Sequence, residues 1–138
     1  MRIHTMAIAM ALAFLVSGAA RAEDSCRFHK SEHIYSRTPS GPLKAYVFAP
    51  DGARRASRPG IVIFHGGGWT MGEPSWGFWL GERYACKGMV AVVAQYRLSD
   101  GKSVSPVDAV ADARRVIRWM RLKSPILRLD RGRVAALG

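Results

Sequence analysis

The sequence predicts an α/β domain, in which a mostly parallel sheet with an antiparallel first hairpin carries helices on its faces. Two short apolar runs rich in β-branched residues, GIVIFH and MVAVVAQY, are typical of strands buried on both faces. An amphipathic helical pattern follows the second run, and a second helical pattern lies between the two. The order strand, helix, strand, helix, strand implies parallel pairing with helical crossovers.

The first predicted elements are two β-segments, HIYSRT and LKAYVFAP, separated by PSGP. Alternating apolar residues interrupted by two prolines and a glycine indicate an antiparallel hairpin. The next stretch, PDGARRASRP, is polar and bounded by prolines. We therefore expect an exposed connector before the first buried strand.

The segment between the buried runs, SWGFWLGERYACKG, predicts a helix that ends at Gly88 in a left-handed conformation. Gly77 and Gly81 lower the helix propensity of this segment. In the predicted order of elements, this helix would lie on a face of the sheet.

The stretch from Ser105 to Lys123 predicts the second helix. Ser105 is a natural N-cap, Pro106 suits the first turn, and Asp108 can bond back to the cap. Apolar residues share one side of this helix and arginines the other, so one face packs and the other is solvated. The final GRVAALG predicts the start of another buried strand.

Composition indicates one globular domain, because 49% of the 138 residues are apolar and 22% are charged. Lys and Arg number 21 against 10 Asp and Glu, which gives a formal net charge of +11. Such a charge attracts nucleic acid, anionic lipid or acidic polymers. The arginines are spread over several segments without interleaved aromatic residues for base stacking, so we expect no nucleic-acid partner.

Residues 1–22 have the pattern of a secretory signal peptide, with an early arginine, an apolar run from Met6 to Val16 and small residues before a cleavage site after Ala22. The mature chain, residues 23–138, is therefore expected to be exported to the periplasm or secreted. No stretch reaches the length of about 20 apolar residues that a membrane helix needs, so we expect no stable membrane anchor.

Cys26 and Cys86 are the two cysteines of the chain. Export would place them in an oxidising environment, where a disulfide can form. Two buried or free thiols are the alternative, and the spacing of the cysteines does not decide between them. Neither a CxxC pair nor a histidine cluster at ligand spacing is present, so the sequence predicts no metal site.

The stretch IVIFHGGGWT places three consecutive glycines at the end of a predicted strand. Glycines lose the most backbone entropy on folding, so a run of three indicates a geometric requirement. Without Cβ atoms, the N–H groups of Gly66, Gly67 and Gly68 can turn toward one point and stabilise the oxyanion of an acyl-transfer reaction. A phosphate cradle would need a Walker or dinucleotide pattern, which is absent, and a simple turn needs fewer glycines.

HGGGW after a strand resembles the oxyanion loop of the α/β-hydrolase superfamily, in its hormone-sensitive-lipase-like and carboxylesterase group. AQYRLS resembles the YRL motif that ends the next strand, and SPVDAVADARRVIRWMR resembles the helix after it. LDRGRVAALG resembles the approach to the nucleophile elbow. The resemblance covers about residues 43–138.

The resemblance implies roles for individual residues of the loop. Gly67 and Gly68 would supply oxyanion N–H groups, with Gly66 shaping the turn, and His65 would be structural rather than the general base. Trp69 would contact the substrate. Three further aromatic residues would either line the pocket or pack in the core: Trp76, Phe78 and Trp79.

Arg97 and Asp112 form a predicted structural ion pair. Arg97 follows a buried strand, and Asp112 lies at the edge of the apolar side of the second helix. A bidentate pair would hold helix to sheet. Arginine does not deprotonate, so we expect an architectural rather than a catalytic role for this pair.

Gly138 matches the first glycine of the GxSxG motif, so the resemblance places the nucleophilic serine two residues later, with the acid and base further along. Residues 23–138 are thus expected to be a partial α/β-hydrolase domain. The chain would be the N-terminal fragment of an exported serine hydrolase of small-molecule esters, inactive as given and requiring no metal or organic cofactor. The alternatives are a non-catalytic exported binding module derived from a hydrolase sheet and a basic protein that binds acidic polymers.

Overall fold

The computed structural model describes residues 26–52 and 57–138. The predicted signal peptide and the middle of the predicted connector, residues 53–56, lie outside the described residues. The strands are β1 (Phe28–Thr38), β2 (Gly41–Pro50), β3 (Arg58–Phe64), β4 (Val90–Ala94) and β5 (Leu129–Leu137). The helices are α1 (Phe78–Cys86), α2 (Pro106–Leu122) and α3 (Ser124–Leu127), and a 3₁₀ turn (Pro74–Gly77) precedes α1.

The five strands form one mixed sheet in the order β1-β2-β4-β3-β5. β1 pairs with β2 and β2 with β4 in antiparallel fashion, whereas β3 is parallel to both β4 and β5. The predicted antiparallel first hairpin and the parallel pairing after it are confirmed. β3 and β5 therefore end at the same edge of the sheet, which brings the residues after Phe64 close to Gly138.

Two apolar cores lie on the two faces of the sheet. α1 packs on the core that contains Phe48, Ile63 and Val93. α2 packs on the opposite core through Val116 and Met120. Every residue of β4 is buried, which explains why its sequence is a continuous apolar run rather than an alternating one.

The first predicted helix is split into the 3₁₀ turn and α1. Its glycines serve close packing: a Cβ on Gly81 would lie 2.6 Å from the ring of Phe48, and one on Gly77 would lie 3.2 Å from a methyl of Val93. Gly81 thus lets α1 approach β2 more closely than a larger residue would allow. Gly88, with φ +84°, follows the helix in the predicted left-handed conformation.

α2 begins as predicted, with a reciprocal capping box between Ser105 and Asp108. The amide and hydroxyl of Ser105 hold the pKa of the Asp108 carboxyl below its usual range. α3 was not predicted; Pro125 suits its first turn and the chain turns there into β5. None of the helices in the described part of the chain combines the length and apolar character that a membrane crossing requires.

The predicted connector is not exposed at its end. Arg58 is the first residue of β3, and it is buried. Its guanidinium donates hydrogen bonds to the carbonyls of Pro50 (2.8 Å) and Gly52 (2.9 Å). The connector is thus exposed at Asp51, Gly52 and Ser57, as predicted, but buried at Arg58, which donates hydrogen bonds to backbone carbonyls there.

A disulfide joins Cys26 to Cys86, with 5.2 Å between their Cα atoms. It links the segment before β1 to the last residue of α1. The Nζ atom of Lys30 lies 3.5 Å from the ring centroid of Phe78, so β1 itself also contacts α1. The structure therefore decides between the two alternatives for the cysteines in favour of the bridge.

Candidate active site

The glycine loop, residues 65–69, lies at the edge where β3 and β5 end. It borders a cavity of about 350 Å³ that Gly138 also lines, although 70 residues separate Gly138 from Gly68 in sequence. The N-terminal half of α2 forms the opposite wall through small side chains. The lining residues are Phe64, His65, Gly66, Gly67, Gly68, Trp69, Tyr96, Ala109, Val110, Ala113 and Gly138.

Three successive carbonyls of the loop accept hydrogen bonds from identified donors. The Tyr96 hydroxyl donates to the carbonyl of His65 at 2.7 Å. The His65 ring, through Nδ1, donates to the carbonyl of Gly66 at 2.8 Å. The carbonyl of Gly67 accepts from the backbone amides of Thr70 and Met71, both at 3.2 Å. The orientations of three consecutive peptide planes are thereby fixed.

A fixed carbonyl also fixes the amide that follows it. The described chain has no cis peptide bond, and in a planar trans peptide the N–H points opposite to the carbonyl. The amides of Gly67 and Gly68 are thus turned away from the donors that hold the carbonyls of Gly66 and Gly67. Neither amide makes a hydrogen bond within the part of the chain that the structure describes.

Backbone conformation explains why glycine is needed here. Gly67 has φ +125° and Gly68 has φ +61°, in the region that disfavours residues with a Cβ. A Cβ on Gly67 would also overlap the carbonyl group of Met71, whereas one on Gly68 would meet open space. Gly66 has neither constraint.

His65 is buried and lies flat on Tyr96, with ring centroids 4.4 Å apart and planes at 17°. The ring of Trp76 meets it edge-on at 6.2 Å. Burial raises the pKa of the Tyr96 phenol, so this hydroxyl stays a neutral donor. Sequence reasoning did not single out Tyr96; its only signal was its place in AQYRLS, and its role depends on a contact across 31 residues.

Trp69 lines the cavity and is 53% exposed. Its backbone is left-handed, with φ +64°, and its carbonyl accepts the amide of Ser99 at 2.6 Å. The other aromatic residues considered with it do not line this cavity: Phe78 packs on Tyr46 and Phe48, while Trp76 and Trp79 are exposed outside it.

Arg97 and Asp112 lie in an ion pair behind the cavity. Asp112 is fully buried and accepts hydrogen bonds from Nε (2.8 Å) and Nη2 (3.0 Å) of Arg97. Arg97 also reaches Asp108 at 2.9 Å, and its hydrogen bond with Asp112 raises its pKa. The pair joins the segment after β4 to the part of α2 that carries the cavity wall.

The site offers backbone donors beside an apolar cavity. Among the described residues that line it, none is a serine, a cysteine or a carboxylate. No group of His, Cys, Asp and Glu side chains among the described residues is arranged to hold a metal ion. The arrangement can therefore accommodate an anionic oxygen.

Comparison with protein families gives a match to the BD-FAE family model over residues 46–138. Among curated proteins, the chain is similar to a probable carboxylesterase M8 of Phoma sp., with 35% identity over 78 residues. That alignment covers 51% of this chain and 24% of the relative.

Solved structures of an esterase are similar to this chain over most of its length. Native Thermogutta terrifontis esterase 2 has a TM-score of 0.73 and 35% identity, covering 79% of this chain and 40% of that one. The propionate-bound form of the same esterase has the same TM-score and identity, covering 79% of this chain and 41% of that one. The chain thus spans less than half of the length of these relatives.

Proposed function

Because the chain belongs to the BD-FAE family, an esterase-like family with the α/β-hydrolase fold, we propose that it carries the oxyanion-binding half of a serine carboxylic-ester hydrolase. One observation supports this most strongly. The amides of Gly67 and Gly68, which have no partner among the described residues, border a cavity that Gly138 also lines.

In the proposed reaction, a serine hydroxyl attacks the carbonyl carbon of a small-molecule ester while a histidine takes its proton. The carbonyl oxygen becomes an oxyanion, which accepts hydrogen bonds from the amides of Gly67 and Gly68. The oxyanion then collapses, the ester oxygen leaves with the proton from the histidine, and water hydrolyses the acyl-serine by the same steps. Trp69 contacts the substrate beside the loop.

The serine of this proposal is not a residue of the sequence. Two residues of extended chain reach at most about 7 Å. A serine two positions after Gly138 would therefore enter the same cavity as the glycine loop. The chain as given is proposed to be inactive toward esters, because the described residues that line the cavity include no serine.

Export is part of the proposal. The apolar run from Met6 to Val16 and the small residues before position 23 support removal of a signal peptide. The Cys26–Cys86 disulfide supports an oxidising compartment, since cytosolic reductants keep most thiols reduced.

The first experiment reads the genomic DNA after codon 138. If the DNA encodes x-Ser-x-Gly directly after codon 138, in frame or after one frameshift, the result supports the hydrolase. The longer protein encoded by this DNA is then assayed with p-nitrophenyl acetate. A genuine stop codon at that position, together with a protein that is folded and monomeric when purified, would instead favour the non-catalytic binding module.

The second experiment tests the glycine loop in that longer protein. Gly67→Ala must displace the loop because its Cβ overlaps the Met71 carbonyl, so we expect kcat to fall about 100-fold or more. Gly41→Ala is the matched control, because Gly41 has a similar φ of +113°, would place its Cβ in open space and is the first residue of β2, after the β1–β2 turn. An equal loss of kcat in both variants would contradict the assignment.

A further inference from the structure

An exposed surface with apolar and basic side chains lies at the junction of α2 and α3. Leu122 is 78% exposed and Ile126 is 74% exposed, the largest exposures among the large apolar residues of these helices apart from Val107. Exposed cationic residues surround them. We call this surface the α2–α3 patch; it consists of Arg118, Arg121, Leu122, Lys123, Ile126 and Arg128.

The cations of the patch have no acidic neighbours in the adjoining sequence. The sequence contains no Asp or Glu between Asp112 and Asp130. Within the described residues, none of the four cationic side chains of the patch forms an ion pair, whereas Arg115 and Arg133 nearby do. As far as the described part of the chain shows, these cations are available to a partner.

Helix geometry places the apolar pair among these cations. Residues four apart share a helix side, so Arg118 and Leu122 are neighbours. The amide of Lys123 bonds to the carbonyl of Trp119 and that of Leu127 to the carbonyl of Lys123, both at 2.9 Å. The backbone is thus nearly helical through the junction. Ile126, four residues after Leu122, therefore lies on the same side as Arg118 and Leu122.

The patch and the cavity lie at opposite ends of the parallel strands. The carbonyl of Arg128 accepts the amide of Arg58 at the start of β3 (2.9 Å), while the cavity begins after Phe64 at its end. Seven strand residues span about 20 Å. A partner on the patch would leave the cavity open.

We propose that the α2–α3 patch docks reversibly on a bilayer surface that bears anionic phospholipid headgroups. The cations contact headgroup phosphates, and Leu122 and Ile126 enter the boundary between headgroups and acyl chains. A water-soluble polyanion matches only the cations and leaves two large apolar side chains in water. The combination of both features favours the lipid surface.

Co-sedimentation with vesicles tests this docking. The protein used begins at Glu23, because the apolar run from Met6 to Val16 would itself bind lipid, and this form contains every described element. Binding to vesicles of equal parts phosphatidylglycerol and phosphatidylcholine is compared with binding to pure phosphatidylcholine. We expect partition into the anionic vesicles to be at least about tenfold stronger.

Variants separate the two contributions. Leu122→Ser with Ile126→Ser should weaken partition by about tenfold or more, since each side chain loses apolar burial. Arg118→Gln with Arg121→Gln should weaken it by a similar factor. Val107→Ser is the control, because Val107 is 75% exposed on the same helix but lies outside the patch. Melting curves that match the parent protein show that each variant is folded.

Three results would overturn the proposal. They are no sedimentation with anionic vesicles, equal sedimentation with both kinds of vesicle, and parental binding by the Leu122 and Ile126 double variant. The last result, combined with salt-sensitive binding to heparin, would assign the patch to soluble polyanions instead.

Discussion

Asp112→Ala tests the energetic role of the ion pair behind the cavity. Asp112 is fully buried and accepts hydrogen bonds from Arg97 and from the exposed Arg115. Removing one member of a buried pair costs about 3–5 kcal/mol, because the other charge is left without its partner. Arg97 is 13% exposed and keeps its contact with Asp108, so we expect the lower end of that range, about 3 kcal/mol.

The assay is thermal unfolding followed by circular dichroism. In a domain of about 115 residues, each kcal/mol lost from the free energy of unfolding lowers the melting temperature by about 4 °C, so the expected decrease is about 12 °C. Glu32→Ala is the matched control, because the Lys44–Glu32 pair has a similar distance of 2.8 Å but side chains that are 40% and 48% exposed. An exposed pair contributes less than about 1 kcal/mol. If Asp112→Ala lowers the melting temperature no more than Glu32→Ala does, the buried ion pair does not have the energetic role assigned to it.

Three further predictions concern the bridge, the β4–α2 loop and the glycine loop. Cys86→Ser removes the disulfide that closes a loop with a sequence separation of 60, so we expect the free energy of unfolding to fall by about 4 kcal/mol. A midpoint of denaturant unfolding equal to that of the parent protein would contradict this expectation. The Ser103 hydroxyl and three loop amides lower the pKa of Asp100, so the stabilisation by its carboxylate is complete above about pH 4 and is lost as the pH falls further. Asp100→Asn should therefore reduce the dependence of the unfolding free energy on pH below about pH 4, and an unchanged dependence would count against this role. Tyr96→Phe removes the hydrogen bond to the His65 carbonyl, so NMR relaxation should show greater ps–ns motion of the loop amides, and parental relaxation would exclude the role assigned to the hydroxyl.

Much of the fold follows from local sequence signals. The continuous apolar runs gave β3 and β4, and the Ser105–Asp108 pair gave the start of α2. β1 begins at Phe28, earlier than predicted, because its polar first half is held by pairing with β2 and by contacts with α1. Such long-range contacts leave no periodic pattern in the segment itself.

The site was less predictable than the fold. The position of the glycine loop follows from its place after a buried strand, but the hydroxyl that holds the carbonyl of His65 comes from Tyr96, 31 residues away. Tyr96 lies on the segment after β4, and Gly138 reaches the cavity only because β5 runs parallel to β3. The cysteine pairing likewise depends on how α1 lies against β1.

The held carbonyls determine when the glycine loop becomes ordered. The conformational entropy of His65, Gly66 and Gly67 is lost while the chain folds, not when an anion arrives. An anion bound at the free amides would encounter donors already in place, and by thermodynamic linkage it would stabilise the folded chain in proportion to its affinity. Affinity at the loop and resistance to unfolding should therefore rise and fall together.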